Sequence, residues 1–254
     1  MTERARILEF LRSFDVACAT AAEPWRFGTA FWRDDMPRVY DLNFALLEAP
    51  GDVTAHAVAR AADDAHARRG VRHRKVSVRD ERGERLRPAF VALGWDTERD
   101  VVMVLRAPPP SGRRRGEEVE LADVLAMREA ALRAYPFASD EDVVRQLVDK
   151  DRVFHDARAA RHFAARRDDG AVVASCDLYS DGRTGQIEDV GTLEGHRGQG
   201  HATAVVLAAV DASLAAGHDV TFLVADDEDW PKQMYARLGF EPVAHLYDFW
   251  RSGE

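Results

Sequence analysis

The stretch of the chain best suited to chemistry covers residues 186–202 and ends in a glycine-rich turn. Its first part spaces apolar residues among polar ones, which predicts a β-strand. The turn contains Gly198 and Gly200, and the apolar run from Val205 to Gly217 predicts a helix directly after it. The first-turn N–H groups of a helix have no intrahelical partner, and glycine lets an anion approach the backbone. The turn is therefore a predicted phosphate site.

Two motifs indicate which kind of phosphate site this is. Residues 197–202 read Arg-x-x-Gly-x-Ala and lack the Gly-Lys-Ser/Thr of a nucleotide-binding P-loop. After the apolar stretch 219–225, Tyr235 begins the sequence Tyr-x-x-Leu-Gly-Phe. In this order the two motifs resemble the GNAT family of acyl-CoA-dependent N-acetyltransferases. The resemblance implies acetyl-CoA as the acyl donor and an α/β (α+β) fold, in which a mixed, mostly antiparallel twisted sheet is flanked by helices.

The resemblance also implies which residues hold the coenzyme. Backbone groups of Val190 and Thr192 would pair with the pantetheine arm, and Leu193 is a candidate oxyanion N–H donor. The residues of the turn would line the pyrophosphate, mostly through N–H groups: Arg197, Gly198, Gln199, Gly200, His201 and Ala202. Glu228 stands where the family often has an asparagine, so the usual hydrogen bond from this position to the cofactor is in doubt.

Acyl transfer from a thioester to an amine has two proton requirements. Presenting an alkylammonium of pKa about 10.4 as a neutral amine at pH 7 costs about 4–5 kcal/mol, so a base is needed. The departing thiolate needs an acid, and the resemblance makes Tyr235 the candidate. Glu188 and Asp189 are the candidate bases. Alternate residues of a strand lie on the same face, so Glu188 should share a face with Val190 and Thr192, which favours Glu188 unless a bulge interrupts the alternation. The alternatives are a core role for Tyr235 and plain solvent exposure for both carboxylates.

An internal repeat is predicted from a second alignment. Residues 85–95 can be laid over residues 231–240, and the strand and the long helix before each also correspond. The first copy has no glycine-rich turn, and Phe90 occupies the place of Tyr235. We therefore expect the first copy to have an architectural role and no acyl-transfer site of its own.

These features predict two GNAT-like lobes. Residues 1–106 form a degenerate GNAT-like domain, residues 107–118 a linker, and residues 119–254 the catalytic domain. The linker contains three prolines and the consecutive arginines 113–115. The arginine run is interpreted as a solvated part of the linker, with a phosphate-binding patch as the less favoured alternative.

Composition restricts the class of partner. The chain has 254 residues, 46% hydrophobic and 31% charged, which is ordinary for a soluble globular protein. Its net charge of −9 argues against nucleic acid as a partner and modestly favours cationic substrates. No apolar run is long enough to span a bilayer, and the first ten residues lack the apolar core of a signal peptide. Cys18 and Cys176 are expected to be reduced core thiols, and the protein is expected to be cytoplasmic without a membrane partner.

Metal chemistry has little support in the sequence. The nine histidines show no metal-binding spacing, and His155 and His162 are interpreted as surface or core histidines. The sequence thus predicts an enzyme that acetylates a primary amine of an unidentified small molecule or peptide, acting as a monomer or homodimer. The alternative is a protein that binds acyl-CoA without turnover, as a sensor or a subunit.

Overall fold

The computed structural model describes residues 1–109 and 111–253, so Pro110 of the predicted linker and the final Glu254 lie outside the described residues. The chain divides into two compact units. Unit 1 contains residues 1–10, 103–225 and 230–243, and unit 2 contains residues 11–102, 226–229 and 244–254. Residues 1–10 thus belong to the same unit as most of the second half of the chain, and the last residues belong to the same unit as most of the first half. The continuous domain boundaries drawn from the sequence therefore stay a prediction.

Helices and strands alternate in two stretches of the chain, from β3 to β5 and from β9 to β11. The helices are α1 (Glu3–Cys18), α2 (Ala55–Arg69), α3 (Arg82–Ala92), α4 (Leu121–Leu132), α5 (Glu141–Arg158), α6 (His201–Ala215) and α7 (Pro231–Arg237). The strands are β1 (Ala21–Trp25), β2 (Gly28–Trp32), β3 (Phe44–Leu47), β4 (Arg74–Val78), β5 (Asp96–Leu105), β6 (Glu117–Val119), β7 (Arg161–Arg166), β8 (Val172–Ser180), β9 (Thr184–Thr192), β10 (Val220–Asp226) and β11 (Phe240–Arg251). Within the described residues, none of the helices combines the length and the apolar character that a membrane span requires.

Unit 2 is built on the strand order β1-β2-β3-β4-β11, in which only β3 and β4 run parallel. The helix α2 covers this sheet and begins after Thr54, whose hydroxyl accepts a hydrogen bond from the amide of Ala57. Gly70 ends the helix in the left-handed conformation, at φ 75°. Phe90 is fully buried and stacks on Phe249 with ring centroids 4.2 Å apart. This position therefore serves the apolar core of the unit.

Unit 1 contains the strand order β10-β9-β8-β7-β6, in which only β9 and β10 run parallel. Because parallel neighbours need a crossover, the chain leaves β9 through the glycine-rich turn, forms α6, and returns as β10. The helix α6 packs against β7, β8 and β9. Its buried residues include Val205, Val206 and Val210, each with no exposed surface. The predicted fold class is confirmed, because each unit has a mixed, mostly antiparallel sheet with helices packed on it.

Candidate active site

The strand β9 carries a β-bulge at the candidate bases. Glu188 pairs with Asp177 of β8, and Gly191 pairs with Ser175, so two residues of β9 lie opposite Cys176 alone. Asp189 is one of these two and adopts φ 51° in the left-handed region. That conformation costs most L-residues about 1–2 kcal/mol, and aspartate tolerates it better than most. The parity that linked Glu188 to Val190 and Thr192 does not hold here, because the extra residue interrupts the alternation of the strand.

Glu188 is half-buried at the start of this bulge. The side-chain amide of Gln186 donates a hydrogen bond of 2.5 Å to its Oε2 atom. Burial and, after it, the nearby charge of Asp189 raise the pKa of Glu188 to about 8, against the opposing effects of Gln186, the backbone N–H of Asp189 and Lys150. A carboxyl group with a pKa close to neutrality is well matched to general-base catalysis at physiological pH.

Tyr235 lies on α7, a short helix that starts with Pro231, the residue type favoured at a first helical position. Its side chain is buried, and its ring meets Phe240 edge-on with centroids 6.3 Å apart. Burial raises the pKa of Tyr235, and the charge of Glu188 raises it further. Tyr235 therefore lies within electrostatic range of Glu188 in unit 1.

The parallel pairing of β9 ends just before the bulge. Ile187 pairs with Leu223, and beyond that pair β9 has no further partner on β10 within the described residues. The edge of β9 that faces β10 therefore has no strand partner from Glu188 onward, and the carbonyl of Thr192 accepts a hydrogen bond from Arg197 Nε at 3.4 Å. On the opposite edge, the amide of Leu193 already donates to the carbonyl of Val173 at 2.9 Å. Leu193 is therefore poorly suited to the oxyanion role suggested for it.

The glycine-rich turn has a backbone that other residues would not adopt readily. Gly198 and Gly200 lie at φ 73° and 82°, and Gly200 is the N-cap of α6. A Cβ atom added at either glycine would have nothing within 4 Å, so the space in front of the turn is open. The first-turn amides of α6 point toward this space, as helix geometry requires.

A cleft of about 570 Å³ lies beside the turn, and Asp168 and Asp169 lie among the arginines that line it. Its lining includes Arg114, Arg166, Arg167, His196, Gln199 and His201. Arg166 and Arg167 also pair with Glu117 and Asp169. Arg114 donates to the carbonyl of Arg166 at 3.1 Å, and no carboxylate partner of Arg114 occurs among residues 1–109 and 111–253. The arginine run that was assigned to the linker thus contributes a cation to this cleft.

A buried ionic cluster lies behind the bulge and was not predicted from the sequence. Asp177 Oδ1 is 2.6 Å from Arg128 Nη2 and 2.7 Å from His162 Nδ1. Burial raises the pKa of Asp177, but the hydrogen bonds and charges of His162 and Arg128 outweigh it and hold the pKa below its usual value. Arg128 also lies 3.2 Å from Asp151 of α5. His162 is therefore a buried member of this cluster.

Two further candidates have other environments. Glu228 belongs to unit 2 and pairs with Arg87 at 2.6 Å. Burial raises the pKa of the Cys176 thiol well above its usual value, which disfavours the reactive thiolate. No group of three or more potential ligand side chains is placed to hold a metal ion in the part of the chain that the structure describes.

Comparison with known families agrees with the motifs. The model of the acetyltransferase (GNAT) family matches residues 124–240, which include the bulge, the glycine-rich turn and Tyr235. A search of curated protein sequences found no match.

Several solved structures share the fold. A GCN5-related N-acetyltransferase from Kribbella flavida is 21% identical with a TM-score of 0.69, and the match covers 100% of this chain and 97% of that one. A conserved protein of unknown function from Staphylococcus epidermidis is 16% identical with a TM-score of 0.69, over 91% and 93% of the two chains. A tandem GNAT protein from the clavulanic acid biosynthesis pathway is 16% identical with a TM-score of 0.51, over 78% and 68%. At these identities the likeness shows the fold alone.

Proposed function

We propose that the protein, whose residues 124–240 match the model of the acetyltransferase (GNAT) family, transfers an acetyl group from acetyl-CoA to a primary amine. The observation that carries the proposal is the open edge of β9, which leads from the raised-pKa carboxyl of Glu188 to the glycine-rich turn. The proposed base lies on β9, the strand edge without a partner on β10 follows it, and the proposed anion site lies in the turn after the strand. A thioester bound along that edge would have its reactive end near the base and its phosphates at the turn.

The coenzyme is proposed to bind through backbone groups. Val190 and Thr192 lie beyond the last pair with β10, so their free edge can pair with the amides of the pantetheine arm as a strand would. The amides of residues 198–202 would donate to the pyrophosphate at the start of α6. Arg114, at the cleft beside that turn, would neutralise phosphate charge.

Glu188 is proposed to be the base that takes the proton of the acceptor. The gap between an alkylammonium, of pKa about 10.4, and an ordinary glutamate, of pKa about 4.3, corresponds to about 8 kcal/mol of uphill proton transfer. With the pKa of Glu188 at about 8, the gap corresponds to about 3 kcal/mol. The burial that raises the pKa therefore removes most of the thermodynamic obstacle. The cost is a lower fraction of ionised Glu188 at neutral pH.

Tyr235 is proposed to stabilise the departing sulfur. A phenol of pKa about 10 is a weaker acid than a thiol of pKa about 8.5, and burial raises the pKa of Tyr235 further. Full proton transfer to the thiolate is therefore uphill for the phenol alone. The hydroxyl can donate a hydrogen bond as the C–S bond breaks and charge develops on sulfur, and the second proton that the nitrogen loses as the amide forms protonates the thiolate.

Release of the thiol from acetyl-CoA tests the proposal directly. We expect turnover with at least one member of a panel of polyamines, amino acids, aminoglycosides and peptides. Calorimetry with CoA serves as the companion measurement, because it separates a catalyst from a protein that only binds the coenzyme. Binding without turnover on any amine would favour the acyl-CoA sensor or subunit, and absence of both would refute the proposal.

A matched pair of glycine variants tests the binding mode. Gly200→Val adds a Cβ at φ 82° where the phosphates are proposed to lie, and Gly217→Val adds the same strain at φ 74° at the other end of α6. Both positions are open, with no atom within 4 Å of an added Cβ. We expect the Gly200→Val variant alone to lose CoA binding. Equal affinity in the two variants would contradict the proposed phosphate site.

A further inference from the structure

Tyr179 of β8 connects the bulge of β9 to the buried ionic cluster. Its side chain is almost fully buried, and its hydroxyl oxygen lies 3.3 Å from Asp177 Oδ2 and 3.3 Å from Asp189 Oδ2. Burial raises the pKa of Tyr179 well above its usual value, and the charges of Asp189, Asp177 and Glu188 add to this rise, while Arg128 opposes it. The hydroxyl therefore stays protonated and can donate to either aspartate.

One end of this connection is fixed. Asp177 is held by Arg128 of α4 and by His162 of β7, and both side chains are themselves buried against further partners. Arg128 contacts Asp151 of α5, and His162 Nε2 lies 3.0 Å from Nδ1 of the half-buried His155. Asp177 of β8 is therefore held directly from α4 and β7, whose side chains α5 supports in turn, and its carboxylate is a rigid point within unit 1.

The other end of the connection is a strained backbone. Asp189 adopts φ 51°, and its carboxylate lies 3.9 Å from the ammonium of Lys150 on α5. Its backbone N–H donates a hydrogen bond to the carboxyl group of Glu188, which lowers the pKa of Glu188. A shift of Asp189 would therefore alter both the position of the Glu188 carboxylate and one of the hydrogen bonds that stabilise its charge.

We propose that Tyr179 is a positioning residue: its buried hydroxyl, which lies beside Asp177, donates its single proton to Asp189 and thereby holds the bulge in the geometry that presents Glu188 to the acceptor. The inference rests on the proposed function, in which Glu188 is the base. It assigns Asp189 to support rather than to proton transfer, and it explains why a left-handed aspartate stands at this point of the strand. The groups that face Glu188 are Gln186 and Asp189 of β9, Lys150 of α5, Tyr179 of β8 and Tyr235 of α7.

The test uses Tyr179→Phe, which removes only the hydroxyl. With acetyl-CoA and the best amine of the panel, we expect kcat to fall about tenfold, the equivalent of one hydrogen bond to a charged group. The KM for acetyl-CoA should not change. Tyr247→Phe is the matched control, since Tyr247 is an equally buried tyrosine in unit 2. The control should keep the wild-type kcat.

A double-mutant cycle shows whether Tyr179 acts through Asp189. Asp189→Gly tolerates the left-handed backbone and removes the carboxylate, so adding Tyr179→Phe to it should lower kcat by less than about twofold. Asp189→Asn keeps an acceptor for the hydroxyl and tolerates the same backbone. It should retain kcat within about threefold of the wild type, well above Asp189→Gly. Losses that multiply in the double variant would overturn the inference, as would an Asp189→Asn variant as impaired as Asp189→Gly.

The outcomes separate this inference from the proposed function. A wild-type protein that turns over, together with an unchanged kcat in Tyr179→Phe, refutes the positioning role alone. A wild-type protein that binds acetyl-CoA and acetylates no amine refutes both. If Tyr179→Phe does not fold, as judged by CoA calorimetry, the comparison of Asp189→Asn with Asp189→Gly tests the same contact from the other side.

Discussion

The raised pKa of Glu188 predicts a distinctive pH dependence of catalysis. The ionised carboxylate is the active form, and its pKa is about 8. Below that value kcat should therefore fall about tenfold per pH unit, so that pH 7 gives about one tenth and pH 6 about one hundredth of the plateau. A glutamate with an ordinary pKa of about 4.3 would already be fully ionised at pH 6, and kcat would be flat across the same range.

The assay follows the loss of thioester absorbance from acetyl-CoA at saturating amine, between pH 6 and pH 9.5. The kcat of the wild type should decrease below about pH 8. The Glu188→Gln variant should lack this decrease, and its kcat at the plateau should be lower by a factor of about 10² to 10⁴. Glu241→Gln, which changes an exposed glutamate of β11, is the matched control and should keep the wild-type profile. A wild-type kcat that does not change with pH, or a decrease below about pH 8 that persists in Glu188→Gln, would refute the assignment of Glu188 as the base.

Three further variants test other parts of the account. Tyr235→Phe should lower kcat about a hundredfold without changing CoA affinity in calorimetry, and an unchanged kcat would remove Tyr235 from the mechanism. Arg128→Met leaves the buried Asp177 without its cation, so urea unfolding should show a loss of about 3–5 kcal/mol, whereas a loss below about 1 kcal/mol would mean that the cluster contributes little. Arg114→Ala should weaken CoA binding about threefold to tenfold and reduce the salt dependence of that binding. Arg113→Ala, from the same arginine run, should leave the affinity and its salt dependence unchanged. Equal effects of the two variants would indicate a contribution of overall protein charge rather than of the cleft.

The parts of the site that local sequence determines were predictable. Gly198 and Gly200 occupy backbone angles that only glycine adopts readily, and the predicted helix starts at His201, directly after the turn. The same holds for Asp140, whose side chain caps α5 by accepting from two amides of the first turn. These signals lie within a few residues of the feature they specify. A reader of the sequence therefore needs no knowledge of the tertiary structure to find them.

The parts that depend on tertiary contacts were not predictable. Asp177 is 49 residues from Arg128 and 15 from His162, and nothing in the spacing of these residues indicates that three elements bring them together. The bulge at Asp189 depends on register with β8, so it could be anticipated from the family but not placed by counting alternate residues. Glu228 was a candidate cofactor contact, and its ion pair with Arg87 across 141 residues has no local signal.

Amide hydrogen exchange on the intact protein, with and without CoA, measures the central claim most directly. The account predicts that CoA slows exchange at the open edge of β9, at residues 190 and 192, and at the first-turn amides of α6 that follow Gly200. The other edge of β9, including the Leu193 amide that already donates to Val173, should change little. CoA binding that leaves the amides of residues 190–202 unprotected and slows exchange elsewhere would contradict the account.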